Sequence, residues 1–414
     1  MQPVVVTGLG IVSSLGCTSR EVTDALLASR SGLKHCPELS QQGLPTSVYA
    51  PVHGFDETGI DSRAQRTMSK AAVYAAVAAN AAIADAHLAE SAVAVERAAV
   101  IVGGELGGIN DLQTMRKLLH SRRKSRSGAT GVTKVMDSGA SGNVASLLGY
   151  RGRAYAVSTG LGSGLAAIRH GVQLITRGLA DVVLCGAAEE DSWRYLGPAL
   201  HRWGELPPGS ADEPERACRP FDARRSGTVL SAGSGMIVLE SLHHAQQRSA
   251  EPYAEVVGWG CGSDGGGSPR STGTGLRRAV SAALRAAEAG GVDSVDYVHS
   301  GAAGTRQGDA IEALVLRELI GSTVPVSSTT GWTGLAVGAA AAIQVVLTLL
   351  MLRGGFLVPT ANLEQVAREC DGLLHIRSVM PRPVRTALCT AASFGCFNEC
   401  LVLRRYEPAG GNQA

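Results

Sequence analysis

Charge of one sign is what this chain lacks most plainly. Its 38 lysines and arginines are matched by 36 aspartates and glutamates, and only 18% of residues are charged. A net charge of +2 gives no broad basic surface for nucleic acid or an anionic membrane, so neither is expected as a partner. Cysteine offers no pattern either. The nine cysteines are an odd number, scattered without a CxxC pair, and no secretory signal is evident. Reduced thiols in the cytoplasm are the expectation, with no disulfides and no metal site. Long hydrophobic runs are nearly absent. The longest, Gly334 to Leu352, contains Gln344 and Thr348 and is mostly small residues. It reads as a helix buried between sheets, not as a membrane span.

Glycine and apolar residues are abundant. Fifty-two glycines suit many tight strand–helix turns, and 45% apolar residues in a chain of 414 allow a large core, as one domain or two fused halves. Strand-like runs at Val4–Thr7, Ala98–Val102, Tyr155–Ser158, Asp181–Cys185 and Gly235–Glu240 alternate with helical stretches, including Met68–His87 and Gly162–Arg177. The pattern restarts at Ala254–Gly258. It continues through helices over Gly275–Ala289, Ala310–Leu319 and Leu335–Leu352 to strands at Thr386–Thr390 and Cys400–Arg404. Such alternation predicts parallel sheets covered by helices, and the restart predicts a duplicated α/β fold with halves 1–250 and 251–414. The glycine-dense stretch Gly258–Gly267 has no lysine or helix start placed to hold phosphate, and reads as a flexible loop.

The stretch from Tyr155 to Ala167 carries the strongest chemical suggestion. An apolar strand meets Thr159-Gly160-Leu161-Gly162-Ser163-Gly164, which opens a helix. Such a junction lifts one side chain and aims the first helical N–H groups above it. The lifted position is Leu161, which cannot attack a carbonyl. A dinucleotide loop would need an acid ending the next strand, where Cys185 lies. A hydrolase elbow would need glycine where Leu161 lies. A tight turn that only requires small residues remains open.

Motifs elsewhere decide between these readings. In order along the chain are Val4-Val5-Val6-Thr7-Gly8-Leu9-Gly10, Ile60-Asp61-Ser62-Arg63, Arg66-Thr67-Met68-Ser69 and Val132-Thr133-Lys134. Then come Arg219-Pro220-Phe221-Asp222-Ala223, Gly304-Thr305 with Gly308-Asp309, Gly338-Ala339-Ala340, and Ser393-Phe394-Gly395 with Asn398. Together they resemble beta-ketoacyl-acyl carrier protein synthases of the type I elongating kind over nearly the whole chain. The resemblance implies a thiolase-like fold of five layers, αβαβα, from two duplicated halves. It also implies a catalytic cysteine, two histidines and a lysine. At those positions this chain has Leu161, Gly301, Leu335 and Thr330. Asp309 and Glu312 match acids that are structural in the family.

With all three catalytic groups replaced, the chain resembles a chain-length factor, the inactive subunit that pairs with an active ketosynthase in type II polyketide assembly. Leucine at the cysteine position, in a type I fatty-acid-like sequence, points to a reducing, polyene-type system. The implied partners are that ketosynthase, in a heterodimer, and an acyl carrier protein. The phosphopantetheine arrives on the carrier, so no cofactor is expected on this chain. A homodimeric acyl-binding scaffold is one alternative. A synthase with an atypical nucleophile, such as Cys396, is another, and His299, two positions from Gly301, is the histidine that could in principle substitute for the one replaced there. The resemblance assigns acyl-tunnel or interface roles to Leu106, Ile109, Leu112, Met115, Met136 and Phe394. Leu106, Ile109 and Leu112 recur every third residue, as one helix face would. Arg63, Arg66, Arg116, Lys117, Arg122, Arg123, Lys124 and Arg126 are the candidate dock for an acidic carrier, against the plainer reading of a solvated face.

Overall fold

Most strands are apolar on both faces, and this decides the architecture. Ile101 faces one core while Val100 and Val102 face another. Cys389 and Leu388 divide in the same way in the second half. A sheet with two apolar faces needs a layer on each side. The structure, a computed structural model, describes residues 2–89, 92–120, 130–208, 212–266, 271–394 and 397–408.

The main strands are β1 (Val4–Val12), β2 (Ala98–Gly103), β3 (Ala154–Val157), β4 (Val182–Glu189), β5 (Gly233–Ser241), β6 (Ala254–Ser263), β7 (Tyr297–His299), β8 (Pro325–Ser327), β9 (Leu374–His375), β10 (Thr386–Ala392) and β11 (Phe397–Arg405). They run in the order β9-β8-β7-β10-β11-β6-β1-β5-β4-β2-β3. The first half is thus ordered β3-β2-β4-β5-β1. The second repeats it as β8-β7-β10-β11-β6, with β9 added at the edge. The halves join through two residue pairs, Val5 with Glu255 and Val6 with Ala254.

The sheets are mixed, which corrects the expectation of parallel sheets. β2 is parallel to β3 and β4, but β5 is antiparallel to both β4 and β1. Likewise β10 is parallel to β7 and antiparallel to β11. Ser393 to Cys396 is too short a link for a helical crossover, so β10 and β11 can only return antiparallel.

The helices that matter below are α1 (Lys70–Asp85), α2 (Ile109–His120), α3 (Thr130–Val135), α4 (Gly139–Leu148), α5 (Ser163–Thr176), α6 (Trp193–Trp203), α7 (Thr274–Ala289), α8 (Arg306–Leu319) and α9 (Ala340–Gly354). α1 and α4 cover one outer face, α7 and α8 the other, and α5 and α9 lie between the sheets. This is the five-layered thiolase-like arrangement. α9 belongs to an apolar window, Val337–Gly354, that is long enough to cross a membrane by composition, but 83% of that window is buried in the core. It begins later than the sequence suggests, after a short 3-10 turn at Val337–Ala339, which leaves Leu335 outside it.

The duplication extends to single atoms. A Cβ on Gly10 would come 1.9 Å from the Ala78 carbonyl oxygen of α1, and one on Gly260 2.0 Å from the Ala279 carbonyl oxygen of α7. Both positions therefore need glycine for close strand–helix packing. This also overturns the flexible-loop reading for the first part of Gly258–Gly267, while Asp264 to Gly266 lie past the strand and Gly267 lies outside the described residues. Gly258 to Ser263 are strand, with Gly258, Gly260 and Gly262 paired to Val402, Cys400 and Asn398.

Candidate functional site

The junction of β3 and α5 is held from three sides. Gly160 has φ of 66°, a left-handed conformation that glycine adopts without strain. Its N–H donates to the Glu105 carboxylate at 2.9 Å, as does the Ser158 hydroxyl at 2.9 Å. The Ser163 hydroxyl accepts the Thr159 N–H at 2.9 Å, and the Ser393 hydroxyl accepts the Gly162 N–H at 3.3 Å. The turn therefore aims Leu161 inward. Its side chain is 9% exposed and joins an apolar cluster with Trp193, Leu200, Leu206, Ala303 and Leu335. The residue at the position where the resemblance implies a nucleophile is part of the core.

The other two catalytic positions lie in the same corner. Leu335 is buried in that cluster, with its N–H donating to the Val229 carbonyl at 2.7 Å. Gly301 follows β7, and a Cβ there would come 2.6 Å from the Thr390 carbonyl oxygen. Histidine at 301 therefore has no room unless backbone moves. Leu161, Gly301, Thr330 and Leu335 jointly line a cavity of ≈ 30 Å³. The expected catalytic positions thus converge on one corner, where Leu161 and Gly301 also face the larger cleft beside it.

A larger cleft of ≈ 170 Å³ adjoins it, sharing Leu161 and Gly301. Its walls include Phe394, Trp203, Ala303, Thr305, Gln307 and Arg202. Two buried acids lie along its floor. Asp309 accepts N–H groups from Phe221 at 2.8 Å, Ala303 at 3.1 Å and Gly304 at 3.2 Å. Burial pushes its carboxyl up to about 6, opposed by those bonds and by Arg225. Glu312 accepts the Gly301 N–H at 3.0 Å and the Thr390 hydroxyl at 2.5 Å. Burial pushes it up to about 7, and no ion pair reaches it among the described residues. Both acids hold loops together, as the resemblance implies.

His299 cannot replace a lost histidine, contrary to that alternative. Its Nδ1 pairs with the Thr348 hydroxyl at 2.8 Å and its Nε2 with the Thr329 hydroxyl at 2.9 Å. Burial depresses its pKa to about 3, so it is a neutral residue of the interlayer core. It lines neither cavity. Cys396 lies outside the described residues.

The tunnel and interface set divides. Leu106 precedes α2, so it does not share a helix face with Ile109 and Leu112 as the spacing suggested. Its N–H donates to Glu189 at 3.2 Å. Met115 lies over Gly131, where a Cβ would be 3.3 Å from its sulfur, and so packs within the chain. Leu112 and Met136 are exposed at 45% and 51%, joined by Val132 at 55%, which the sequence reading left out of this set. These apolar residues lie on α2, on α3 and just past its end. Of the basic set, Arg63, Arg66, Arg116 and Lys117 are exposed and unpaired with acids among the described residues. Arg122, Arg123, Lys124 and Arg126 lie outside the described residues.

Sequence reasoning also missed the acids that anchor this region. Glu189 accepts N–H groups from Glu105 at 3.0 Å, Leu106 at 3.2 Å and Gly338 at 3.2 Å. Burial still raises it to about 8. Two acids closing an apolar strand, Glu189-Glu190, were the available signal. Glu105 just past the end of β2 was another.

Comparison with known proteins places these features. A model of the beta-ketoacyl synthase N-terminal domain matches residues 1–245, and one of the C-terminal domain matches residues 253–364. The 3-oxoacyl-[acyl-carrier-protein] synthase 1 of Escherichia coli K12 is 35% identical, over 98% of this chain and 100% of its own length. A beta-ketoacyl synthase structure from Burkholderia phymatum STM815 superposes with TM-score 0.91 at 29% identity, covering 98% of this chain and 100% of that one. The ishigamide ketosynthase/chain length factor superposes with TM-score 0.89 at 27% identity, again over 98% and 100%.

Proposed function

Given that this chain belongs to the beta-ketoacyl synthase family, we propose that it is a non-catalytic member of chain-length-factor type. It pairs with an active ketosynthase that extends chains held on acyl carrier protein, in a reducing, polyene-type system. The closed catalytic corner carries this reading. Leu161 and Leu335 fill it, Gly301 is pressed against the Thr390 carbonyl, and about 30 Å³ is left. Condensation needs a nucleophile, an oriented base and room for the tetrahedral centre. Neither a nucleophile nor an oriented base is available there. Similarity to a solved ketosynthase/chain length factor supports the pairing.

The pairing face fits the exposed features. β3 is an edge strand with its outer side unpaired, a ready template for another strand. Leu112, Val132 and Met136 supply apolar surface on the helices that precede it. Arg63, Arg66, Arg116 and Lys117 supply the positive rim for an acidic carrier.

The test is reconstitution. The chain is incubated with acyl and malonyl carrier proteins, alone and with an active ketosynthase encoded beside it. Alone it should form no ketide and no acyl adduct, and with the ketosynthase it should co-elute as a one-to-one complex. An acyl adduct mapping to any residue of this chain would overturn the non-catalytic reading.

One observation favours a second reading. The larger cleft remains open at ≈ 170 Å³ with Leu161, Ala303, Ile311 and Phe394 among its walls, as an acyl-binding scaffold would require. A homodimer that binds acyl-pantetheine without any partner would establish that function instead.

A further inference from the structure

A cavity larger than either of those at the catalytic corner lies where the two halves join. It measures ≈ 370 Å³ and shares no lining residue with them. Thr7 and Tyr253 line it, each one position from the pair Val6 and Ala254 that crosses the seam. Arg353, in the last turn of α9, lines it too. Ala340, the first residue of that helix, lines the small cavity at the catalytic corner. At 1.5 Å per residue the two ends of α9 are about 20 Å apart. The seam cavity is therefore a separate place, of a size that takes a small ligand.

Its walls are held firmly. The Arg248 guanidinium donates to both Glu240 carboxylate oxygens, at 2.8 and 2.5 Å, and to the Ala86 and His87 carbonyls at 2.8 and 3.3 Å. The charge of Arg248 is thus used within the protein. α1 and the short helix Leu242–Gln247 both end at this cavity. Each is followed by a left-handed residue, His87 with φ of 48° and Ser249 with φ of 55°. Glycine is the usual residue there. Here two polar side chains take that conformation, and both line the cavity.

Three further charges around it have no partner of opposite sign. Asp85 accepts the Leu9 N–H at 2.9 Å and the Tyr253 hydroxyl at 3.0 Å, both neutral donors. The Arg353 guanidinium lies over the Tyr253 ring, 4.5 Å from its centroid, a contact that places a cation without neutralising it. Glu251 lines the cavity and is exposed. None of the three is in an ion pair among the described residues. A ligand with a single charge would satisfy one wall and face a like charge on the other. A ligand with both charges satisfies both walls, and a guanidinium suits a carboxylate. We infer that the seam cavity binds a small zwitterion of amino-acid type, its carboxylate on Arg353 and its ammonium between Asp85 and Glu251. Asp85 and Arg353 belong to opposite halves, so the ligand ties the seam. The site stands whether or not the chain condenses.

The experiment is calorimetric titration of the full chain with unbranched amino acids from glycine to 6-aminohexanoate, and with hexanoate and hexylamine as singly charged controls. At least one amino acid should bind about tenfold more tightly than either control and should raise the Tm. Glu251→Gln and Arg353→Gln change exposed side chains. Each should weaken that binding about tenfold or more while leaving the Tm of the protein alone unchanged. Saturable binding of hexanoate alone, lost in Arg353→Gln, makes this an anion site and overturns the zwitterion. Binding of hexylamine alone, lost in Glu251→Gln, overturns it in favour of a cation. Binding that neither variant alters puts the ligand elsewhere and overturns the site, as does the failure of every amino acid to bind with Kd below about 10 mM.

Discussion

Replacing Glu312 by glutamine should remove one pH-dependent component of stability. Glu312 is buried at the cleft floor, and its carboxyl is raised to about 7 by burial from an ordinary value of 4.5. The sign follows from proton binding. Below about pH 4.5 folded and unfolded chains both hold the proton, and the group contributes no slope. Between pH 4.5 and 7 the unfolded chain releases it while the folded chain retains it, so stability falls as pH rises. Above pH 7 the loss is complete, at about 3 kcal/mol.

Glutamine preserves the acceptor for the Gly301 N–H and the Thr390 hydroxyl, both of which donate to the same oxygen, but it cannot ionise. Glu312→Gln should therefore match the wild type near pH 4.5 and exceed it by up to about 3 kcal/mol at pH 8. At about 2.1 cal/mol/K of unfolding entropy per residue, a chain of 414 residues shifts by roughly 1 °C per kcal/mol, so a Tm difference of about 3 °C should open between the two pH values. Asp309 and Glu189 are also raised by burial, and His299 is lowered. They shape both curves, so the difference between variants is the relevant quantity. Scanning calorimetry from pH 4.5 to 8 measures it. A difference independent of pH would refute the claim that Glu312 is held protonated.

Further tests address packing, pairing and docking. Gly10→Ala and Gly260→Ala place a Cβ about 2 Å from a helix carbonyl in their respective halves, so each should cost about 3 kcal/mol or more in chemical denaturation. A small effect at either position would deny the equivalence of the halves. Leu112→Glu with Met136→Glu should abolish co-elution with the ketosynthase while leaving the Tm of the isolated chain within about 1 °C, since both side chains are already exposed. A complex that survives unchanged would put the pairing face elsewhere. Arg116→Glu with Lys117→Glu should weaken carrier binding by under about 1 kcal/mol per charge, more at low salt. Equal affinity at every salt concentration, measured by titration calorimetry, would return this run to a solvated face.

The sequence disclosed the layers better than the contacts between them. Strands with two apolar faces, and an alternation that restarts near residue 254, are visible as patterns, so the duplication was legible. The mixed sheets were not, because strand direction depends on whether the link to the neighbouring strand is a helix or a tight turn. Gly258 to Ser263 were misread for a physical reason. Glycine in sequence signals freedom, but here it marks the approach of α7 to the strand. At the site, Leu161, Gly301 and Leu335 stand where the resemblance implies a cysteine and two histidines, so the proposed loss of chemistry was legible. The clash that makes Gly301 necessary depends on the Thr390 carbonyl, 89 positions away in sequence, and only coordinates show it. Trp203 has no neighbouring motif to mark it. Its contact with Phe394, at 5.9 Å between ring centroids, brings together residues from opposite halves.

Restoring the lost chemistry separates absent groups from absent space. Leu161→Cys with Leu335→His returns two groups to side-chain positions that now hold leucine. That protein should fold, destabilised by about 2–5 kcal/mol per site for lost apolar burial. It should remain unable to condense, because the corner still lacks a second histidine. Adding Gly301→His introduces a Cβ 2.6 Å from the Thr390 carbonyl oxygen. Thr390 lies within β10, which pairs with both β7 and β11. The strand can yield only by breaking its ladder, and Glu312 would lose its Gly301 and Thr390 donors along with it. The triple variant should therefore be insoluble or lose cooperative unfolding, where the double variant does not. If it instead folds with a Tm close to that of the double variant and extends acyl chains, then the corner was only emptied of its reacting groups, and the close approach at Gly301 does not hold it shut.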